Sequence, residues 1–282
     1  MSSKIIKTLC VLMALFLVLV VLYSCSDNRG YAPSDDTTTT TTTDGSTTLT
    51  TTTTTQKTST TTTTKRITTT PRSTTTGTAD SSLKNKVLPV PIMAQFPHYP
   101  TGCESVSAVM ALRYYGESID VGTFIDKHLP MDNTFKTIDG VRYGPNPYKH
   151  FVGDPSTSSS YGCMAPVIEK ALTSYFGSGQ RIKNTTGTPL STLCSRYIDN
   201  GEPVLVWATI GMIETGKGVS WRLEDGSTFY WPLNEHCMVL IGYDDNRYYF
   251  ADPYRGMVKS YSRWLCESRY KDIGMQSIAI TK

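Results

Sequence analysis

Past residue 86 the apolar positions follow two patterns, one after the other. The first has helical spacing. In 103–115, Val106, Val109, Met110, Arg113 and Tyr114 fall at i, i+3, i+4 positions and Gly116 follows, which predicts a helix with its apolar side on one face. Residues 121–128 predict a second helix ended before Pro130. Residues 165–176 predict a third with Pro166 in its first turn, and 190–200 a fourth, stopped by Asn200-Gly201. Pro89 and Pro91 keep the lead-in at 87–93 extended. A stretch rich in Gly, Pro, Asp and Ser at 130–162 predicts a long loop. The second pattern is short runs rich in β-branched and aromatic residues. These predict a buried strand at 203–209, a hairpin of 220–223 and 228–231 around Asp225-Gly226, and strands at 236–243 and 247–252 joined by Asp244-Asp245-Asn246. Residues 261–267 predict a helix and 275–280 a last strand. Helices first and strands later predict an α+β domain with N-terminal helices on an antiparallel sheet.

The N-terminal third has a different composition. Lys4 and Lys7 precede an apolar run at 9–23, short for a membrane span and suited to a signal peptide. It ends in Leu22-Tyr23-Ser24-Cys25, which resembles a bacterial lipoprotein box, with Cys25 as the lipidated residue; an uncleaved membrane anchor is the alternative. Residues 37–78 are dominated by Thr and lack the apolar groups that would offset the entropy of ordering, so they predict an unstructured, extended stalk. The expected organisation is a signal or anchor at 1–25, a linker at 26–86 and one domain at 87–282, extracytoplasmic and held at a membrane through the N-terminus. A net charge of +3, with no basic cluster interleaved with aromatics, argues against a nucleic-acid partner.

Cys103 follows Pro100-Thr101-Gly102 and opens the first predicted helix. Unpaired N–H groups and the dipole at a helix N-terminus favour a thiolate. Far downstream, His236 opens one strand and Asp252 ends the next, so the hairpin makes them cross-strand neighbours or nearly so. A carboxylate beside an imidazole fixes its tautomer, and the imidazole can take the thiol proton and return it to a leaving amine. Gln95 is placed to donate to an oxyanion together with the Cys103 N–H, a contribution of about 3 kcal/mol where such donors act.

These residues, with Tyr99-Pro-Thr-Gly-Cys-Glu-Ser-Val-Ser-Ala108, Phe151-Val-Gly-Asp-Pro155, Gly201-Glu-Pro-Val-Leu-Val-Trp207, His236-Cys-Met-Val-Leu-Ile-Gly-Tyr243 and Ala251-Asp-Pro253, resemble the papain-like cysteine peptidases of family thirty-nine, in their stand-alone bacterial branch. The likeness runs over nearly all of 88–282. It implies a papain-like fold, a nucleophile at Cys103, a base at His236, an orienting carboxylate at Asp252, an oxyanion donor at Gln95 and no cofactor or metal. It also implies a peptide, protein or cell-wall peptide as substrate. The sequence carries no phosphate-binding loop, which sets it apart from the transporter-fused members.

Plainer readings attach to other residues. Cys163, Cys194, Cys237 and Cys266 have no metal-ligand spacing, and their pairing is open. Cys237 follows His236 on a strand and is expected in the core. His98 is expected at a cleft rim or in solvent, His128 and His150 at a helix end and in a loop. Trp207 is expected in the core; Trp221 and Trp231 suit core or platform. Specificity is expected from 130–162 and 211–231. A binding or adhesion module that keeps the fold without turnover, and acyl transfer through the same thioester, are the alternative functions.

Overall fold

The computed structural model describes residues 87–282. The signal, Cys25 and stalk expectations fall outside the described residues. No helix among the described residues is long and apolar enough to cross a membrane.

The first helix, α1 (Cys103–Tyr114), starts at a turn in which the Gly102 N–H donates to the Tyr99 carbonyl at 2.9 Å. A side chain at Gly102 would put a Cβ 2.9 Å from that of Tyr99 and 3.1 Å from that of Pro155, so the turn before the thiol needs glycine. The one-faced burial expected of α1 is not what forms. Every residue from Cys103 to Leu112 is buried, because small residues on the remaining face, Ser105, Ser107, Ala108 and Ala111, let neighbouring elements close on it. Helix α2 (Val121–His128) is capped by Asp120, which accepts from the Thr123 N–H at 2.8 Å. Helix α3 (Ala165–Phe176) ends on left-handed Gly177. The fourth predicted helix is shorter than expected. α4 (Leu190–Arg196) breaks at Tyr197, and a single 3₁₀ turn, Ile198–Asn200, carries the chain to Gly201.

The expected loop at 130–162 contains four short strands: β1 (Met131–Asp132), β2 (Lys136–Ile138), β3 (Val141–Tyr143) and β4 (Phe151–Val152). Strand β5 (Ile182–Asn184) follows α3. Then come β6 (Val204–Thr209), the hairpin of β7 (Lys217–Arg222) and β8 (Thr228–Pro232), β9 (Glu235–Tyr243), β10 (Arg247–Asp252) and β11 (Met257–Ser262). Helix α5 (Arg263–Asp272) and strand β12 (Ser277–Ile280) close the chain. Helix α5 starts later than expected because Tyr261 pairs with Tyr248 in the sheet.

The main sheet runs β11-β10-β9-β6-β12-β5, antiparallel throughout. Helix α1 packs against β9 and β6. A second sheet, β2-β3-β7-β8, is held by a cluster of Phe135, Tyr161, Trp221, Phe229 and Trp231, which places Trp221 and Trp231 in its core. The fold is α+β, helices before an antiparallel sheet, as expected.

Candidate active site

Strand β10 stops short of the start of β9. Their paired register ends at Ala251 opposite Val239, and Pro253 turns the chain away. The first residues of β9 therefore have no strand on that side, and α1 fills the gap. The Cys237 N–H donates to Cys103 Sγ at 3.4 Å, and the Cys237 carbonyl accepts from Ser107 Oγ at 3.1 Å. Cys103 and Ser107 lie one helical turn apart, so α1 caps both edge groups of Cys237. The Cys237 side chain is in the core as expected, but its peptide holds the candidate nucleophile.

His236 and Asp252 do meet. Nε2 of the imidazole lies 2.8 Å from Asp252 Oδ1, with both side chains almost wholly buried. Burial pushes the Asp252 carboxyl up, but the hydrogen bond and charge of His236 outweigh it and hold it below the usual carboxylate range. Asp252 Oδ1 also accepts from the Tyr254 N–H at 2.9 Å, and the edge of Tyr254 stands against the imidazole with ring centroids 5.9 Å apart. Gln95 is tied to the same turn. Its N–H donates to the Pro253 carbonyl at 2.9 Å. Its side-chain Nε2 donates to the Pro100 carbonyl at 2.8 Å, leaving one amide hydrogen uncommitted.

The thiol is not where the sequence expectation put it. Among the described residues Cys103 Sγ makes no hydrogen bond to His236; it donates to Glu104 Oε2 at 3.3 Å. Nor is a thiolate favoured. Burial raises the Cys103 thiol well above its ordinary value, the Glu104 and Glu235 carboxylates raise it further, and the Cys237 N–H opposes them. The helix-terminus argument is outweighed by desolvation and by a negative neighbour it did not include.

That neighbour is the part of the site sequence reasoning missed. Glu104 is completely buried and accepts from the Cys163 N–H through Oε1 at 2.6 Å. Burial raises its carboxyl to about 7, against the pull of that N–H. Glu235 is pushed well up by burial and by Glu104. The one sequence signal was position: each glutamate adjoins a candidate catalytic residue, Glu104 after Cys103 and Glu235 before His236. The other histidines stand apart: His98 is exposed, and His128 Nδ1 lies 3.0 Å from Ser174 Oγ. All five cysteines of the described residues are free.

The chain is 27% identical over 186 residues, 66% of its own length and 71% of the relative's, to the uncharacterised protein YvpB of Bacillus subtilis (strain 168). A crystal structure of a candidate C39-like peptidase from Bacillus anthracis superposes with a TM-score of 0.61 at 27% identity, over 70% of this chain and 98% of that one. The peptidase domain of Streptococcus ComA, a bifunctional ABC transporter involved in a quorum-sensing pathway, gives a TM-score of 0.40 at 15% identity, over 68% of this chain and 99% of that domain. The model of the Peptidase_C39 like family matches residues 87–278. That match spans the lead-in, both sheets up to the start of β12 and every residue of the site, and the chain belongs to the C39-like peptidase family.

Proposed function

We propose that the protein is a thiol peptidase with Cys103 as nucleophile, His236 as base and Asp252 as the carboxylate that orients the imidazole. Family membership indicates a cysteine peptidase at the coarser level. The observation that carries the finer reading is the buried His236–Asp252 pair at 2.8 Å, one residue from the peptide N–H that meets Cys103 Sγ. With Nε2 engaged by Asp252, the other ring nitrogen, Nδ1, is left to exchange a proton with the thiol.

In this reading the hydrogen bond of Cys103 to Glu104 marks a resting rotamer, and the thiol turns about χ1 toward His236 when substrate enters. The imidazole takes the thiol proton, and the sulfur attacks the scissile carbonyl. The Cys103 N–H and the free amide hydrogen of Gln95 receive the oxyanion. The imidazolium protonates the leaving amine, and water, activated by the neutral imidazole, hydrolyses the thioester. The sequence of 1–86 supports an extracytoplasmic, membrane-held location with Cys25 as the lipidated residue. The peptidase reading makes a peptide, protein or cell-wall peptide the substrate.

The test is the full-length chain assayed against peptide and peptidoglycan libraries, with iodoacetamide labelling mapped to Cys103. Cys103→Ala should lower hydrolysis by about 10³-fold or more and abolish labelling at that position. Turnover unchanged by Cys103→Ala would sink the assignment. An added amine appearing in the product would redirect it from hydrolysis to acyl transfer.

A further inference from the structure

Beside the His236–Asp252 pair lies a second cluster, in which two carboxylates the peptidase mechanism does not use stand against its thiol. Glu104 and Glu235 are buried beside the Cys103 thiol, and one donor atom of each of the three residues lies within 4.8 Å of the other two. Cys163 and Cys237 border the same space: Cys163 gives its N–H to Glu104 Oε1, and Cys237 gives its N–H to Cys103 Sγ. Neither carboxylate has an ion-pair partner among the described residues. Glu235 is only 9% exposed, and its Oε1 is buried with no hydrogen-bond partner at all.

Two carboxylates in a low-dielectric interior cannot both stay charged without compensation. They must share protons or a cation, and His236 leaves β9 toward the opposite face from Glu235. The unpartnered oxygen decides where a cation would sit. A proton shared between the two carboxylates would set them at hydrogen-bond distance, and among the described residues no such bond joins them. The donor set, one sulfur and two carboxylate oxygens, excludes the hard-cation sites of calcium and magnesium, which are built from oxygen alone. It suits zinc. Metal–sulfur and metal–oxygen bonds of about 2.3 and 2.1 Å at a tetrahedral angle place sulfur and oxygen about 3.6 Å apart. Cys103 Sγ and Glu104 Oε2 already lie 3.3 Å apart.

We propose that Cys103, Glu104 and Glu235 form a binding site for a thiophilic divalent cation of the zinc class, with the fourth position left to water. Binding forms one metal–sulfur and two metal–oxygen bonds and releases the thiol proton, with any proton held on the carboxylates, to solvent; no electrons move. One consequence rests on the reading of Cys103 as nucleophile. A sulfur bound to zinc has its charge drawn to the metal and cannot turn toward His236, so the cation is a reversible brake on the peptidase rather than a catalytic metal.

The experiment titrates the metal-free, full-length chain with Co²⁺ as a spectroscopic probe and competes it off with Zn²⁺. One equivalent should bring up a sulfur-to-cobalt charge-transfer band with tetrahedral ligand-field bands, and Zn²⁺ should erase both. Cys103→Ser should lose the charge-transfer band, and Glu235→Gln should weaken binding about tenfold or more. Zn²⁺ should also protect Cys103 from iodoacetamide. No thiolate band in the parent chain, a band that survives Cys103→Ser, or an affinity unchanged in folded Glu235→Gln overturns the site. Labelling and turnover in the metal-free chain are read separately. A dead peptidase that still binds cobalt refutes the nucleophile, and an active one with no cobalt band refutes only the cation site.

Discussion

Two buried carboxylates stand near the start of β9, Asp252 at the end of β10 and Glu104 in the first turn of α1, and they end in opposite states. Asp252, 3% exposed, faces the His236 imidazole and is held below the ordinary carboxylate range. Glu104, completely buried, faces a thiol, a peptide N–H and a second carboxylate, and is raised to about 7. Burial pushes both up. The difference is the partner: an imidazole that can carry positive charge outweighs desolvation, and the neutral N–H and S–H donors of Glu104 do not. The proposed acid–base pair and the proposed cation site thus draw on neighbouring residues of one strand, His236 and Glu235, which point to opposite faces.

The largest effect should come from breaking the compensated side. Asp252→Asn keeps the shape but removes the charge that fixes the imidazole tautomer, so kcat should fall on the order of 10²–10⁴-fold with KM little changed. The same substitution reads out stability. Because the folded-state pKa of Asp252 is depressed, its contribution is present above the unfolded value of about 3.9 and is lost as pH falls through the folded one. The gap in unfolding free energy between parent and Asp252→Asn should therefore narrow on acidification below about pH 4. Full activity in the variant, or a gap constant to low pH, would mean that the 2.8 Å contact is only structural.

That compensated pair was legible in the sequence because it rests on period and position. Strand β10 has the bounds the apolar run predicts, Arg247–Asp252, and a three-residue turn leaves little freedom in how its end meets His236. The burial of the uncompensated side was not legible, since it depends on closure all round α1, and spacing rules read only one face of a helix. Ser105 and Ser107 look like solvent positions, yet both are fully buried. The same limit hid β11. Met257–Ser262 has no buried residue, because an edge strand is held by backbone pairing to β10 rather than by an apolar face. The short strand β2 pairs with β3, and β3 pairs with the later hairpin across more than seventy residues, a contact that no local pattern encodes.

A smaller effect should follow from crowding the uncompensated side. Gly162 sits at φ 132°, and a Cβ there would lie 2.5 Å from Glu104 Oε1. Gly162→Ala should destabilise the fold by about 1–3 kcal/mol from backbone strain alone, and more if Glu104 loses the Cys163 N–H. Chemical denaturation of the full-length chain measures it. A change below about 0.5 kcal/mol would show that the glycine is not what lets Glu104 into the interior.

The smallest and most diagnostic change removes one charge and little else. Glu104→Gln keeps an oxygen for the Cys163 N–H and takes away the carboxylate that, of the charged neighbours, raises the Cys103 thiol most. With a chelator present, iodoacetamide should label Cys103 roughly two- to tenfold faster near neutral pH than in the parent chain. The gain has a ceiling, because desolvation is the largest cause of the raised thiol and survives the substitution. Glu235→Gln should act in the same direction and less, since its carboxylate is the weaker of the two influences. An unchanged rate in both variants would mean that burial alone keeps the thiol neutral. The contrast between the two sides of β9 would then concern the carboxylates themselves and not the sulfur between them.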